Sequence, residues 1–234
     1  RGLVGEMGLP GISAWVLCTA WLPAPPAARQ LARPLLKDEL CMLNTRGYCV
    51  AREWLPADHI RAIRHDVLEM DRIGATGDAN VGAGTGTLDK AVRQTRACSL
   101  IPPLHPNAGS HETRVALLAA MEGLRQELNE AIRAGDLEGV LPMAQGEGEV
   151  SYLSYDEGGF YHEHIDVPQE NGGWLPADLT PGVDTKGANY ENRREVSALI
   201  YLNENWSVEA LGGALRIREM ACGPSGEDLY LDVS

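Results

Sequence analysis

A chain of 234 residues with 44% apolar side chains suits one domain with a sizeable core and room for an appendage. Its formal charge of −13 argues against a polyanion as main partner, because nucleic-acid sites need a basic footprint, and against anionic membrane surfaces. The five cysteines are scattered and no CxxC occurs, which disfavours a zinc ribbon or a thioredoxin-type redox motif; whether Cys41 and Cys49 pair stays open.

Residues 1–37 read as a leader or linker outside the fold. Ile12–Leu22 is an apolar run followed by the Pro/Ala stretch 23–28, too short to cross a bilayer as a helix. Two readings stay open. A signal-like segment over 7–28 would send the chain to the secretory pathway or an organelle, although a basic n-region is absent; otherwise the location is cytoplasmic. No transmembrane segment is expected.

The domain is expected over 38–234. Gly47–Arg52 has strand character. Leu55-Pro56-Ala57-Asp58 opens a helix whose Ile60, Ile63, Val67 and Met70 recur at helical spacing, with Gly74 as its stop. Gly82, Gly84 and Gly86 lack the lysine of a phosphate-binding loop and the third spacing of a dinucleotide fingerprint, so they read as a plain loop. A second helix is predicted over 112–134, with Leu117, Met121, Leu124, Leu128 and Ile132 in one stripe that packs on a sheet. After Gly139 the texture turns β-rich: 149–155, 160–165, 195–202, 214–218 and 229–233. Helices first and strands later predict an α+β fold, with helices covering one face of a β-sandwich or jelly roll.

The chemistry concentrates at Tyr161-His-Glu-His164-Ile-Asp166. On a strand, residues two apart share a face, so His164 and Asp166 aim an imidazole and a carboxylate at one spot. Two such ligands belong to the 2-His-1-carboxylate triad that holds Fe(II) with open positions. His162 would share that face and competes as a ligand.

Around the pair lie Tyr155-Asp-Glu-Gly-Gly-Phe-Tyr161 upstream, and downstream a strand ending Tyr201-Leu-Asn203, then Trp206, then Gly212-Gly-Ala-Leu-Arg216. This ordered set resembles the iron(II)- and 2-oxoglutarate-dependent dioxygenases of the prolyl 4-hydroxylase branch, clearly from about Tyr152 to Ile217. The resemblance implies a double-stranded β-helix (jelly roll) with N-terminal supporting helices. It makes His164 and Asp166 catalytic metal ligands. It assigns Tyr201 to the distal carboxylate of 2-oxoglutarate, Tyr155 and Leu215 to the same pocket, and Tyr161 to an aromatic position beside the site. His162 becomes a non-ligand at the rim.

It further implies Fe(II), 2-oxoglutarate, O2 and ascorbate, with a peptide or protein substrate that contains proline. Two departures stand out. The 167–193 stretch is a long insertion, either a plain surface loop or a lid over the substrate groove with Trp174 or Tyr190 in contact. No His follows His164, so the distal His and the basic anchor for 2-oxoglutarate are missing, and the domain is expected to be truncated at its C-terminus, without its last core strands. A catalytically inactive jelly roll that binds a peptide or protein partner is the alternative. A zinc hydrolase using His162 and His164 lacks a third-ligand motif.

Overall fold

The computed structural model describes residues 31–80, 88–100, 107–140, 142–143, 150–162, 164 and 196–218, together with the backbone of 11–16 and 228–231. Its main sheet has five strands: β1 (Gly11–Val16), β2 (Gly77–Asp78), β4 (Arg96–Ser99), β5 (Val150–Tyr155) and β7 (Ala198–Tyr201). The order is β2-β4-β5-β1-β7, with every neighbouring pair antiparallel. Because β1 runs antiparallel to both of its neighbours, β5 and β7 run parallel to each other. Two ribbons complete the β structure. One joins β3 (Arg93–Gln94) to β6 (Phe160–Tyr161), the other β8 (Leu215–Arg218) to β9 (Asp228–Leu231).

Strand β1 falls inside the stretch that composition set apart as a leader. Residues just before 37 are packed as well: Leu31 and Ala32 lie against the main core, and the Arg33 guanidinium pairs with Glu39 at 2.6 Å. Pro34 lies in irregular backbone, which packs as readily as regular structure when its carbonyls find donors. Helix α1 (Lys37–Arg46) follows and ends on Gly47, whose φ of 78° is the left-handed conformation that favours glycine. The strand expected over Gly47–Arg52 does not form. Its chain turns away from any sheet, and the Arg52 carbonyl accepts instead from Arg33 Nε and Nη2 at 3.2 and 2.6 Å.

Helix α2 (Ala57–Arg72) and helix α3 (His111–Ala134) supply the layer behind the sheet. Ile63, Val67 and Met70 are buried on α2, and Leu117, Met121 and Leu128 on α3; Ile60, Leu124 and Ile132 are only partly covered. Full burial stabilises each such side chain by about 1.5–3 kcal/mol. Ile63, Val67, Met70, Leu117 and Met121 meet Val150, Tyr152, Ile200 and Leu202, the residues of the sheet's helix-facing side, whereas Leu128 packs in a second cluster with Ala131 and Leu137. Ser110 caps α3 by accepting from the Thr113 amide at 3.2 Å, and Gly135, at φ 81°, ends it.

One polar cluster sits within this apolar layer. Arg114 Nη1 reaches both oxygens of Asp66 at 2.7 and 2.9 Å, and Tyr152 Oη donates to the same carboxylate at 2.8 Å. It ties α2, α3 and β5 together. Helices on one face of an antiparallel sheet are the α+β arrangement predicted from the sequence. Among the described residues no helix is long and apolar enough to cross a membrane.

Candidate active site

The side of the sheet away from the helices carries the candidate residues Tyr155 and Tyr201. Alternation along β5 sends Val150 and Tyr152 into the helix-packed core, so Leu153 and Tyr155 project to the opposite face. On β7 Ala198 and Ile200 take the core side, leaving Leu199 and Tyr201 on the other. The register through β1 fixes their relative height: Tyr201 and Leu153 both oppose Ser13, and Tyr155 opposes Gly11. The two tyrosines are thus near neighbours on one face. Burial pushes the Tyr201 phenol up from its ordinary pKa, and the nearby Tyr155 adds to the effect. A phenol held neutral in this way remains an O–H donor suited to a carboxylate.

The turn after β5 positions the next group. Gly158 has φ 73°, and Gly159 lies so close to the carbonyls of Asp156 and Gln94 that a Cβ there would come within 2.9 Å of each. Only glycine lets the turn approach β3 this closely. That approach sets Tyr161 directly opposite Arg93 across the β3–β6 ribbon, with the guanidinium 4.5 Å from the ring centroid. Tyr161 in turn stacks on His164, with ring centroids 3.6 Å apart and 21° between planes.

His164 Nδ1 lies 2.8 Å from the His162 carbonyl. A carbonyl only accepts, so Nδ1 carries the proton and Nε2 keeps the lone pair that binds metals. The expectation that His162 and His164 share a strand face does not hold. Strand β6 ends at Tyr161; His162 packs against Phe160 at 4.6 Å, whereas His164 stacks on Tyr161, whose side chain points to the other side. The His162 amide donates to the Val92 carbonyl at 3.0 Å, one residue further along the β3–β6 register, and regular pairing ends there. Asp166 and the 167–193 insertion with Trp174 and Tyr190 lie outside the described residues.

Beyond β7, Trp206 Nε1 donates to the Gly212 carbonyl at 2.9 Å and pins the turn that leads into β8. Both glycines of that turn have positive φ, 71° and 81°. Leu215 is the half-buried first residue of β8, paired with Leu231 in the separate ribbon.

Residues 150–231 match the 2OG-Fe(II) oxygenase superfamily. The matched third of the chain runs from β5 through His164 and Tyr201 to β9. It supports an iron- and 2-oxoglutarate-using oxygenase function, and that family implies a jelly-roll fold, with which the helices and antiparallel sheets agree. No curated protein and no solved structure matches the chain.

Two features of the described residues suit the groups that an oxygenase of this superfamily uses. His164 has its Nδ1 proton engaged by backbone, the usual way a ligating imidazole is oriented. Tyr155 and Tyr201 form a pair of phenols on the neighbouring face. Among the described residues no three His, Cys, Asp or Glu side chains cluster as a complete metal site.

Sequence reasoning missed Arg93, Thr95 and Arg96, which line a cavity of about 270 Å³ between β3, β4 and the β5–β6 turn. Strands of two and four residues give too little periodicity to mark them. Cys41, Cys49 and Cys98 are free thiols, and burial raises the pKa of the Cys49 and Cys98 thiols.

Proposed function

We propose that this chain is an iron(II)- and 2-oxoglutarate-dependent dioxygenase that hydroxylates a C–H bond, with peptidyl proline as substrate and ascorbate as supporting reductant. The observation that carries the reading is the superfamily match over 150–231, which takes in the His164-x-Asp166 pair, Tyr201 and Leu215 in the expected order. In this reading His164 and Asp166 are metal ligands and act as the catalytic pair. Tyr201 donates its phenol proton to the far carboxylate of 2-oxoglutarate, and Tyr155 and Leu215 shape the same pocket. Iron with 2-oxoglutarate supplies the oxygen-activating chemistry.

The chain's own contribution is order and dryness. The His162 carbonyl fixes the His164 tautomer, Tyr161 holds the imidazole plane by stacking, and buried Leu153 and Tyr155 keep water off the face that carries the phenols. Rigid elements place these groups: Tyr155 and Tyr201 sit in strands, and the glycine turn sets Tyr161.

The experiment measures succinate release from 2-oxoglutarate with added Fe(II) and a prolyl peptide. His164→Ala and Asp166→Ala are each expected to abolish it. Wild-type turnover in either variant would overturn the ligand assignment. Succinate release that no prolyl peptide stimulates, with turnover otherwise intact, would overturn the substrate.

A further inference from the structure

The cavity between β3, β4 and the β5–β6 turn carries three basic side chains, Lys90, Arg93 and Arg96. Two of them are already matched. Lys90 Nζ is 2.7 Å from Asp78, and Arg96 bonds both oxygens of Asp71 at 2.5 and 2.9 Å and Asp156 at 3.2 Å. Arg93 differs. Its described hydrogen bond is to the Asn80 carbonyl at 3.2 Å, its Nε is buried without a partner, and no described carboxylate pairs with it. A half-buried guanidinium whose charge no described carboxylate matches favours an anion from outside.

A second observation points to the same place. Thr95, beside Arg93 on the cavity wall, is 6% exposed, and its hydroxyl is buried with no hydrogen-bond partner among the described residues. A buried hydroxyl without a partner is destabilising unless a ligand or water completes it. Position supplies the third link. Arg93 lies over the Tyr161 ring, and that ring stacks on His164, so the cation stands one ring away from the imidazole. The cavity's unmatched acid, Glu157, is exposed, so solvent screens its effect on an anion at Arg93.

We propose that Arg93, with the Thr95 hydroxyl, forms a carboxylate-binding subsite beside the catalytic centre and selects a substrate that carries an acidic group next to the reacting residue. The substrate and the catalytic centre in this proposal rest on the oxygenase reading; the anion site stands on the cavity itself. Arg93 is here a specificity residue, because it touches the bound group and not the reacting carbon.

The test compares two probes, acetyl-Glu-Pro-Glu-amide and its glutamine counterpart, binding to the whole chain without iron by calorimetry. The wild type is expected to bind the acidic peptide about tenfold more tightly, as one charge-assisted hydrogen-bond pair implies. Arg93→Gln should remove that preference, and Thr95→Val should reduce it. Lys90→Gln removes an equal charge from the same wall but one committed to Asp78, so it should leave the preference intact. Circular dichroism on each variant separates lost binding from lost fold, and Thr95→Val serves if Arg93→Gln does not fold.

Equal binding of both peptides by the wild type would overturn the proposal, as would a preference that survives Arg93→Gln or falls equally in Lys90→Gln. A 2-oxoglutarate titration distinguishes the other source of a carboxylate. Weaker 2-oxoglutarate binding in Arg93→Gln with no peptide preference in the wild type would also overturn it. A peptide preference without any succinate release would keep the subsite and remove the oxygenase reading.

Discussion

Asp66 and Arg114 face each other with both side chains fully buried, the guanidinium Nη1 2.7 and 2.9 Å from the two carboxylate oxygens. Removing one member leaves the other charged in an apolar layer. Arg114→Met is therefore expected to destabilise the fold by about 3–5 kcal/mol, and Tyr152→Phe, which removes one hydrogen bond to Asp66, by about 1–2 kcal/mol. Urea unfolding followed by tryptophan fluorescence checks both. An Arg114→Met chain as stable as the wild type would show that the pair contributes no more than an apolar contact.

Tyr201 offers a phenol on the face shared with Tyr155. Tyr201→Phe keeps the ring and removes the donor. Under the proposed function it should raise KM for 2-oxoglutarate roughly tenfold while kcat stays within about twofold, the loss of one hydrogen bond to a charged group. An unchanged KM would place the cosubstrate carboxylate elsewhere.

Glu39 gives the fold an acid-sensitive joint. Its carboxylate accepts from Arg33 at 2.6 and 2.9 Å and from the Leu36 amide at 2.7 Å, and the Arg33 hydrogen bonds hold its pKa below the ordinary 4.5. A carboxyl with a depressed folded pKa stabilises at pH values above its unfolded pKa and loses that contribution as pH falls through the folded one. Melting temperature should therefore fall on acidification below about pH 4.5, and the fall should be shallower in Glu39→Gln, which starts lower at neutral pH. Parallel curves for the two chains would remove Glu39 from the acid limb.

Long amphipathic stretches were legible. The stripes of α2 and α3 and the alternation of β5 each carry enough turns or residues for a period to show, and most of their apolar positions are buried, although Asp66, Arg114, Glu122, Arg125 and Asn129 are buried beside them. The stretch 47–52 misled because tyrosine, cysteine and valine have strand propensity, whereas Gly47 as a helix cap decides the local path. The His164 neighbourhood was legible as a motif and not as geometry. The pattern promised a pleated strand with His162 and His164 on one side, whereas β6 ends at Tyr161 and His164 stacks on that ring. Arg93 and Thr95 came from strands too short to show a period, and only a cross-strand partner, Tyr161, gives Arg93 a role.

The sheet order places residues 11–16 between the two strands that carry Tyr155 and Tyr201. Contacts between segments so distant in sequence form late and slowly, because the intervening chain must close first. Until β1 docks, β5 and β7 each present an unpaired edge, the kind that templates association between chains. The face carrying the two phenols is thus the last part of the sheet to be assembled, and refolding at high protein concentration should divert chains into aggregates before that face exists.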